Sequence, residues 1–538
     1  MAVLLAISPV IVIFLLMTWG RRSADIAGII GWVYTALIAG LYFHTNWEII
    51  LLASLAGIVA SLPVSLMVIS SIFQINVMEE AGAVKRLVAF MKTLASGNRP
   101  VQVMIINVGA GTLLAALGAT PVSILPLIML SLGYSAFVAI ALPAVGFDAL
   151  CTYALLGVPV VIFADAASGI SGHPFTPAEV GLFFAQYMPV ITTLIAMSML
   201  WLIGGWAEVK RGFWVALVTG LTAGFIAIGM NVAGLPTLTG VAAGIGVIIV
   251  MLIYQRVSGG RVIDRSQQND DDRAMEKKMG LGLALLPWIL LVVFAALTNY
   301  QAFGIYDITF KQWATPLSIM PGDKPIPLRL AWQAYTWVLI ATLIAIPFYK
   351  MKQGQMSHAL KKFARRAPRP AFATAVYFAI AYILNYSGKT PQVIDGAKKL
   401  VISGEGINMI KIIADASAHA FGTLYAGIAP FLGLLGGFIS GTESSAIAML
   451  TKLHFDTVNN VFAGMGPEGA MKMALLVAAA SGIGAGLASV ISPSKLQNAA
   501  AVIDQIGMES KVIKATVVIS LTMTLVVALM TLIFMRYI

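Results

Sequence analysis

The chain has 538 residues, of which 59% are hydrophobic and only 11% charged, with a formal net charge of +11. A soluble domain carries about 25% charged residues, so a series of soluble domains is excluded and an all-α polytopic membrane protein is expected. Cys151 is the single cysteine, which excludes an intramolecular disulfide and a cysteine-based metal site, and the five histidines (His44, His173, His358, His419, His454) form no HExxH pattern. No metal and no cofactor is expected.

Residues 2–18 are apolar, no basic stretch precedes them, and Arg21-Arg22 follow. They read as a first membrane helix and not as a cleaved signal peptide. Spans at 25–43 and 47–73 come next, each long enough to cross ~30 Å of hydrocarbon. An amphipathic segment, 75–98, leads into an apolar stretch, 100–134, that is broken midway at Leu117-Gly118-Ala119-Thr120-Pro121-Val122-Ser123. That break marks a re-entrant helical hairpin. Thr120 is placed to N-cap a half-helix with Pro121 at its first position, so the tip would offer free N–H groups to an anion. A glycine-rich helix crossing is the plainer alternative.

The broken helix 136–165 follows, with Asp148 in its middle and Thr152 and Tyr153 just beyond. Asp148 is a candidate proton site, and the two hydroxyls suit either a ligand or a helix–helix contact. After spans at 178–204, 212–230 and 237–256 comes a polar segment, 257–279, holding Asp270-Asp271-Asp272. It reads as a solvated cytoplasmic linker and not as a metal-binding cluster. The linker divides the chain into an N-terminal half, 1–256, and a C-terminal half, 280–538.

The second half has spans at 281–299, 330–349 and 371–387, with a proline-rich exterior loop at 301–328 and a connecting segment at 389–427. A second hairpin, 428–454, carries the tip Gly441-Thr442-Glu443-Ser444-Ser445. A broken helix at 470–491 and a last span at 513–535 close the chain. Glu443 stands out, because a carboxyl at bilayer depth costs roughly 2.5–3.5 kcal/mol on insertion scales. Low dielectric favours its neutral form, so Glu443 serves either as a proton carrier or as a neutral structural carboxyl. Pro493 breaks the last segment of the motif Ser489-Val490-Ile491-Ser492-Pro493-Ser494-Lys495 and frees backbone carbonyls beside Ser492. Lys495 either pairs with substrate or snorkels to the cytoplasmic surface. Asp415 and His419, one turn apart, read as a site or as an exterior polar contact.

Twelve crossings with two hairpins put both termini outside. Of the 34 Lys and Arg residues, 24 fall in Arg21–Arg22, Lys85–Arg99, Lys210–Arg211, Arg256–Lys278, Lys350–Arg369 and Lys495–Lys514. Those segments share one side of that threading, which is the positive-inside pattern with anionic lipid as a secondary partner. Nucleic acid is not an expected partner. Both halves run span, connecting segment, hairpin, broken helix, and an odd number of crossings separates them. Inverted repeats with helices broken at mid-membrane mark secondary transporters.

At these residues the chain resembles the lactate permease family of proton-coupled monocarboxylate transporters. The matching pieces are Asn385-Tyr386-Ser387-Gly388, Ala418-His419-Ala420-Phe421, Pro430-Phe431-Leu432-Gly433 with Gly441 to Ser445, Ile491-Ser492-Pro493, then Gly507 and Glu509-Ser510. The first half keeps Gly109-Ala110, Pro121-Val122 and Gly157-Val158-Pro159 in their relative positions. It departs where the family's acidic residue falls on Leu113 and its Asn-Thr pair on Phe147 and Asp148, and Ala488-Ser489 replaces a Gly-Lys pair.

The resemblance implies a plasma-membrane secondary active transporter that takes a small organic anion, a 2-hydroxymonocarboxylate such as lactate or glycolate, in symport with a proton. The hairpin-bearing core would move in elevator fashion against the remaining helices. Gly118, Thr120, Pro121 and Ser123 of the first tip, Gly441, Thr442, Ser444 and Ser445 of the second, and Ser492 are the expected substrate-binding set. Glu443 and Asp148 are the proton-coupling candidates. Sodium coupling with another organic anion is the rival within transport, since hairpin carbonyls hold sodium without a protonatable group. An intramembrane enzyme would need a metal motif or a nucleophile–base pair at depth, which the sequence does not present. Self-association as a homo-oligomer stays open.

Overall fold

A computed structural model describes residues 1–18, 22–94, 97–299, 303–323, 325–394, 397–403, 406–505 and 507–538. Arg21 of the first basic pair lies outside the described residues, as do residues 301, 302 and 324 of the exterior loop and 395, 396, 404 and 405 of the connecting segment. The first half runs α1 (Ala2–Thr18), α2 (Ala24–Leu41), α3 (Trp47–Ala60), α4 (Leu62–Ala81) and α5 (Ala83–Met91). Next come α6 (Arg99–Val103), α7 (Gly111–Ala116), α8 (Leu125–Ser131), α9 (Ala136–Asp148) and α10 (Ala154–Ser171). The half ends with α11 (Pro177–Ala185), α12 (Met188–Arg211), α13 (Phe213–Val232) and α14 (Thr239–Val257).

Beyond it lie α15 (Asp270–Lys278), α16 (Leu281–Ala284), α17 (Leu286–Asn299), strands β1 (Thr315–Leu317) and β2 (Ile326–Leu328), α18 (Ala334–Tyr349), α19 (Gln355–Arg366) and α20 (Pro368–Tyr386). Strands β3 (Lys389–Ile394) and β4 (Ala397–Ile402) precede α21 (Met409–Phe421), α22 (Tyr425–Ser440), α23 (Glu443–Val461), α24 (Gly466–Gly486), α25 (Pro493–Val502) and α26 (Glu509–Phe534). Among the described residues, ten helical segments are long and apolar enough to cross a membrane, and six further apolar helices are shorter. The protein is an all-α polytopic membrane protein with two small antiparallel β-hairpins, β1–β2 and β3–β4, that hydropathy does not announce.

Two expected single spans are interrupted. The 47–73 span breaks at Ser61, where Pro63 opens the first turn of α4, and runs on to Ala81 before Gly82 ends it at φ 85°. A proline in the first turn loses no helical hydrogen bond, and glycine takes the left-handed cap without strain. The 178–204 span divides between α11 and α12, with a proline in the first turn of α12.

The 257–279 segment is more ordered than a solvated linker. Asn269 and Asp272 form a reciprocal capping box at the start of α15, and the acidic run suits that positive helix end. Asp272 also takes Lys92 at 2.8 Å, with both side chains about nine-tenths buried. Arg86 Nε donates to the Met279 carbonyl at 2.9 Å, docking α15 and the following turn onto α5. Asp272 is thus a helix cap and an ion-pair partner, Asp270 and Asp271 are exposed, and among the described residues no group of acidic, His or Cys side chains is placed to hold a metal.

Other basic segments gather on the same face. Lys362 meets Glu79 and Glu80 at 3.2 and 2.6 Å, Arg366 meets Glu79 at 3.2 Å, and Arg369 approaches Asp25 at 3.8 Å. At the other end of α20, Asn385-Tyr386-Ser387-Gly388 closes a turn. Gly388 (φ 73°) donates its N–H to Thr45 Oγ1 at 2.9 Å, Ser387 Oγ accepts from Met409 N, and Tyr386 OH donates to Asp323.

Close crossings hold the interior together. Gly57 of α3 lies against the backbone of Phe378 and Ala379 in α20. A Cβ on Gly433 or Gly437 of α22 would overlap the carbonyls of Ser481 and Ala485 in α24, and one on Gly484 would overlap that of Pro430. Small residues let backbones approach in a bilayer, where helix packing has no hydrophobic drive to rely on.

Candidate functional site

The second hairpin reverses at a tight corner. Gly441 caps α22 in the left-handed region at φ 74°, where glycine is unstrained. Thr442 is extended and N-caps α23, its Oγ1 accepting from Ser445 N at 3.2 Å and donating to Ser445 Oγ at 2.7 Å. This cap places Glu443 at the first position of α23 and fully inside the protein, at 3% exposure. Ser444 and Ser445 are buried beside it.

Glu443 reaches across to the break between α9 and α10. Thr152 Oγ1 donates to Glu443 Oε1 at 2.7 Å, and the Cys151 thiol stands beside the same carboxyl. Glu443 Oε2 has no hydrogen-bond partner among the described residues. A Cβ on Gly486 would stand 2.7 Å from Oε2, so the glycine at the end of α24 leaves the room that this oxygen occupies.

Both helix breaks contribute to the cluster. Residues 151–153 form one 3₁₀ turn and 489–491 another, and Cys151 Sγ lies 3.8 Å from Ser489 Oγ. Asp148, at the end of α9, interacts with the Val490 backbone N–H and the Ser489 hydroxyl, and lies within electrostatic reach of Lys495 and Glu443. Its Oδ1 is buried with no hydrogen-bond partner among the described residues. Lys495 donates to Ser489 Oγ at 2.7 Å and rests over the Phe147 ring at 4.2 Å. It is turned toward the cluster, and of the two sequence readings snorkelling to the surface is the one its contacts do not match.

Just past Thr152, Leu155 and Leu156 adopt left-handed backbone (φ 55° and 54°) and Gly157 follows at 71°. Two consecutive non-glycine residues there cost of order 1–3 kcal/mol each, so packing around the break holds a strained conformation next to the buried carboxyls.

The first tip is built differently from its expectation. Thr120 is extended but makes no side-chain cap, and the helix after Pro121 is a three-residue 3₁₀ turn, Pro121–Ser123. The N-cap at Thr120 is therefore corrected. Ile124 departs from helical geometry before α8 begins, so there is no continuous half-helix for Thr120 to cap. Gly118 (φ 85°) faces Ser71 and Met67 of α4, and Ser123 Oγ accepts from Asn498 of α25 at 2.8 Å. The partner that the structure supplies to the second tip, Thr152, thus lies on the broken helix 136–165, and that of the first tip, Asn498, on α25 beyond the second one.

Ser492 is buried at the start of α25. Asp415 accepts from Asn460 at 2.7 Å, and both Asp415 and His419 are exposed. Sequence reasoning gave no weight to Asn498, since an amide on a helix carries no signal until its neighbours are known.

Replacing Thr152 with Val should leave Glu443 Oε1 buried without a donor. A loss of about 1–3 kcal/mol is expected, read as a lower thermal midpoint in detergent. An unchanged midpoint would mean that the bond contributes nothing to the fold.

A family model described as L-lactate permease matches residues 2–538. The chain is similar to the L-lactate permease of Streptococcus iniae, 24% identical over 467 residues that cover 85% of this chain and 91% of that protein. It is similar to the glycolate permease GlcA of Escherichia coli (strain K12), 22% identical over 575 residues covering 99% and 95%. The L-lactate permease of the same strain is 22% identical over 503 residues, covering 87% and 84%.

Proposed function

The chain belongs to the L-lactate permease family, and from that membership we propose that it carries a 2-hydroxymonocarboxylate such as lactate or glycolate across the membrane in symport with a proton. It is a multi-pass plasma-membrane permease and not an enzyme. The observation that carries the coupling is the meeting of Glu443 at the second hairpin tip with Thr152, Asp148 and Lys495 at the two helix breaks.

Two buried carboxyls, Asp148 and Glu443, face the part-buried ammonium of Lys495, and uncompensated buried charge is costly. With Asp148 holding a proton throughout the cycle the cluster is neutral. A substrate anion that pairs with Lys495 adds a negative charge, which is offset if Glu443 also takes a proton. Substrate and proton then cross together and the loaded site stays neutral. Thr442, Ser444 and Ser445 with Gly441 form the substrate's second-tip contacts, Ser492 adds a hydroxyl from the broken helix, and Gly118, Thr120, Pro121 and Ser123 close the site from the first tip.

The two halves, 1–256 and 280–538, work in this reading as inverted repeats of twelve spans and two hairpins, joined by 257–279. Supporting it, α5 packs on the basic face through Arg86 and Lys92, whereas α21 follows the β3–β4 hairpin beside the exterior turn at Asn46. The hairpins and broken helices move as one body against a frame that includes α3, α4 and α20. Right-side-out vesicles given an inward proton gradient should take up radiolabelled lactate or glycolate against its concentration gradient. Absence of gradient-driven uptake for every short monocarboxylate tried would overturn the proposal.

A further inference from the structure

On the basic face, a cavity of about 770 Å³ opens between the start of α6, the ends of α12 and α14, and the loop that follows α14. Three guanidinium groups line it, from Arg99, Arg211 and Arg261, against the single carboxylate of Asp264. Asp264 already accepts from Ser266 N at 2.9 Å. Arg211 approaches Glu208 only at 3.8 Å, with 75% of its side chain exposed. The lining therefore carries an excess of the group best shaped to grip a phosphate through paired N–H donors.

A second observation narrows the ligand. Gln255 lines the same cavity and is 2% exposed. Its Nε2 donates to the Arg261 carbonyl at 3.3 Å, while its Oε1 has no partner among the described residues. A buried acceptor left without a donor is costly, so an occupant that brings a hydroxyl is favoured.

Trp206, Trp214, Ile253 and Val257, on the helices that supply the lining residues Arg211, Val215 and Gln255, are 71%, 65%, 57% and 82% exposed. Tryptophan concentrates at the membrane–water interface, and these exposed apolar side chains suit contact with acyl chains.

We propose that this cavity binds an anionic phospholipid whose headgroup carries a free hydroxyl, a glycerophosphodiester of the phosphatidylglycerol type, in the cytoplasmic leaflet. The phosphate lies among Arg99, Arg211 and Arg261, and a glycerol hydroxyl donates to Gln255 Oε1. The site is separate from the Glu443 cluster and does not depend on which anion is transported.

The test uses the purified full-length chain in detergent, mixed with equal amounts of phosphatidylglycerol, phosphatidic acid and phosphatidylethanolamine, with bound lipid counted by native mass spectrometry. Phosphatidylglycerol should be retained over both others. Arg211→Gln combined with Arg261→Gln should weaken its retention about twenty-five-fold, at roughly fivefold per arginine, and the corresponding Lys pair should recover only part of it, because an ammonium lacks the paired N–H donors. Gln255→Leu should lower phosphatidylglycerol to the level of phosphatidic acid and leave phosphatidic acid unchanged. That comparison still decides the matter if the double Gln variant fails to fold. Equal retention of all three lipids, or no effect of Gln255→Leu, overturns the proposal. Displacement of the lipid by an equal concentration of soluble glycerol 1-phosphate overturns the lipid assignment in favour of a free phosphate ester.

Discussion

Replacing Glu443 with Gln is expected to abolish uphill uptake while leaving the second hairpin folded. With one proton per anion, a one-unit pH gradient sustains an accumulation ratio of about tenfold, because one unit is about 1.36 kcal/mol. The glutamine keeps an oxygen for Thr152, which donates from 2.7 Å in the parent chain, and fills the space that Gly486 leaves. It cannot take up or release a proton. Accumulation should therefore fall to simple equilibration, while exchange of labelled for unlabelled substrate continues. Sodium-driven accumulation that survives in the variant would sink the proton reading and favour a cation held by hairpin carbonyls.

The largest structural effect is expected from Gly433→Val. The new Cβ would overlap the Ser481 carbonyl, a backbone atom that cannot swing aside as a side-chain end can. Helix α22 would have to lift from α24, and Gly437 and Gly484 would lose their own backbone contacts with Ala485 and Pro430. Overpacking costs roughly 1–3 kcal/mol, occasionally more. Because α22 carries the Glu443 tip at its end, substrate uptake should be lost along with the folded yield. Gly464 provides the control, since nothing lies within 4 Å of a Cβ built there. Gly464→Val should shift the thermal midpoint little, within about 0.5 kcal/mol. Equal melting of the two variants would show that the α22–α24 crossing does not hold the hairpin.

Much of the architecture was legible because the cues are local. Apolar length marks the helices, and the corner at Gly441-Thr442 follows from a glycine suited to a left-handed cap and a threonine suited to an N-cap. The same reasoning failed at Thr120, where an equally good capping pair precedes only a 3₁₀ turn. Propensity states what a residue can do, and packing around Gly118 against Ser71 and Met67 decided what the chain does there. At 270–272 the outcome is divided: Asp270 and Asp271 are exposed, as a solvated run would be, while the buried Asp272 meets Lys92, 180 residues away.

The sequence by itself determined the class of protein, the helical scaffold, the second tip and the family, since hydropathy, caps and motif spacing are properties of short stretches. Only the tertiary structure decided the chemistry around Glu443. Thr152 lies 291 positions from it along the chain, and its Oε2, without a partner among the described residues, lies where a Cβ on Gly486 of another helix would crowd it. Lys495 had two possible directions, and the turn at 489–491 sends it inward to Ser489 and Phe147. Charges separated along the chain share one low-dielectric site only after the helices pack, and it is there that their mutual compensation becomes a requirement.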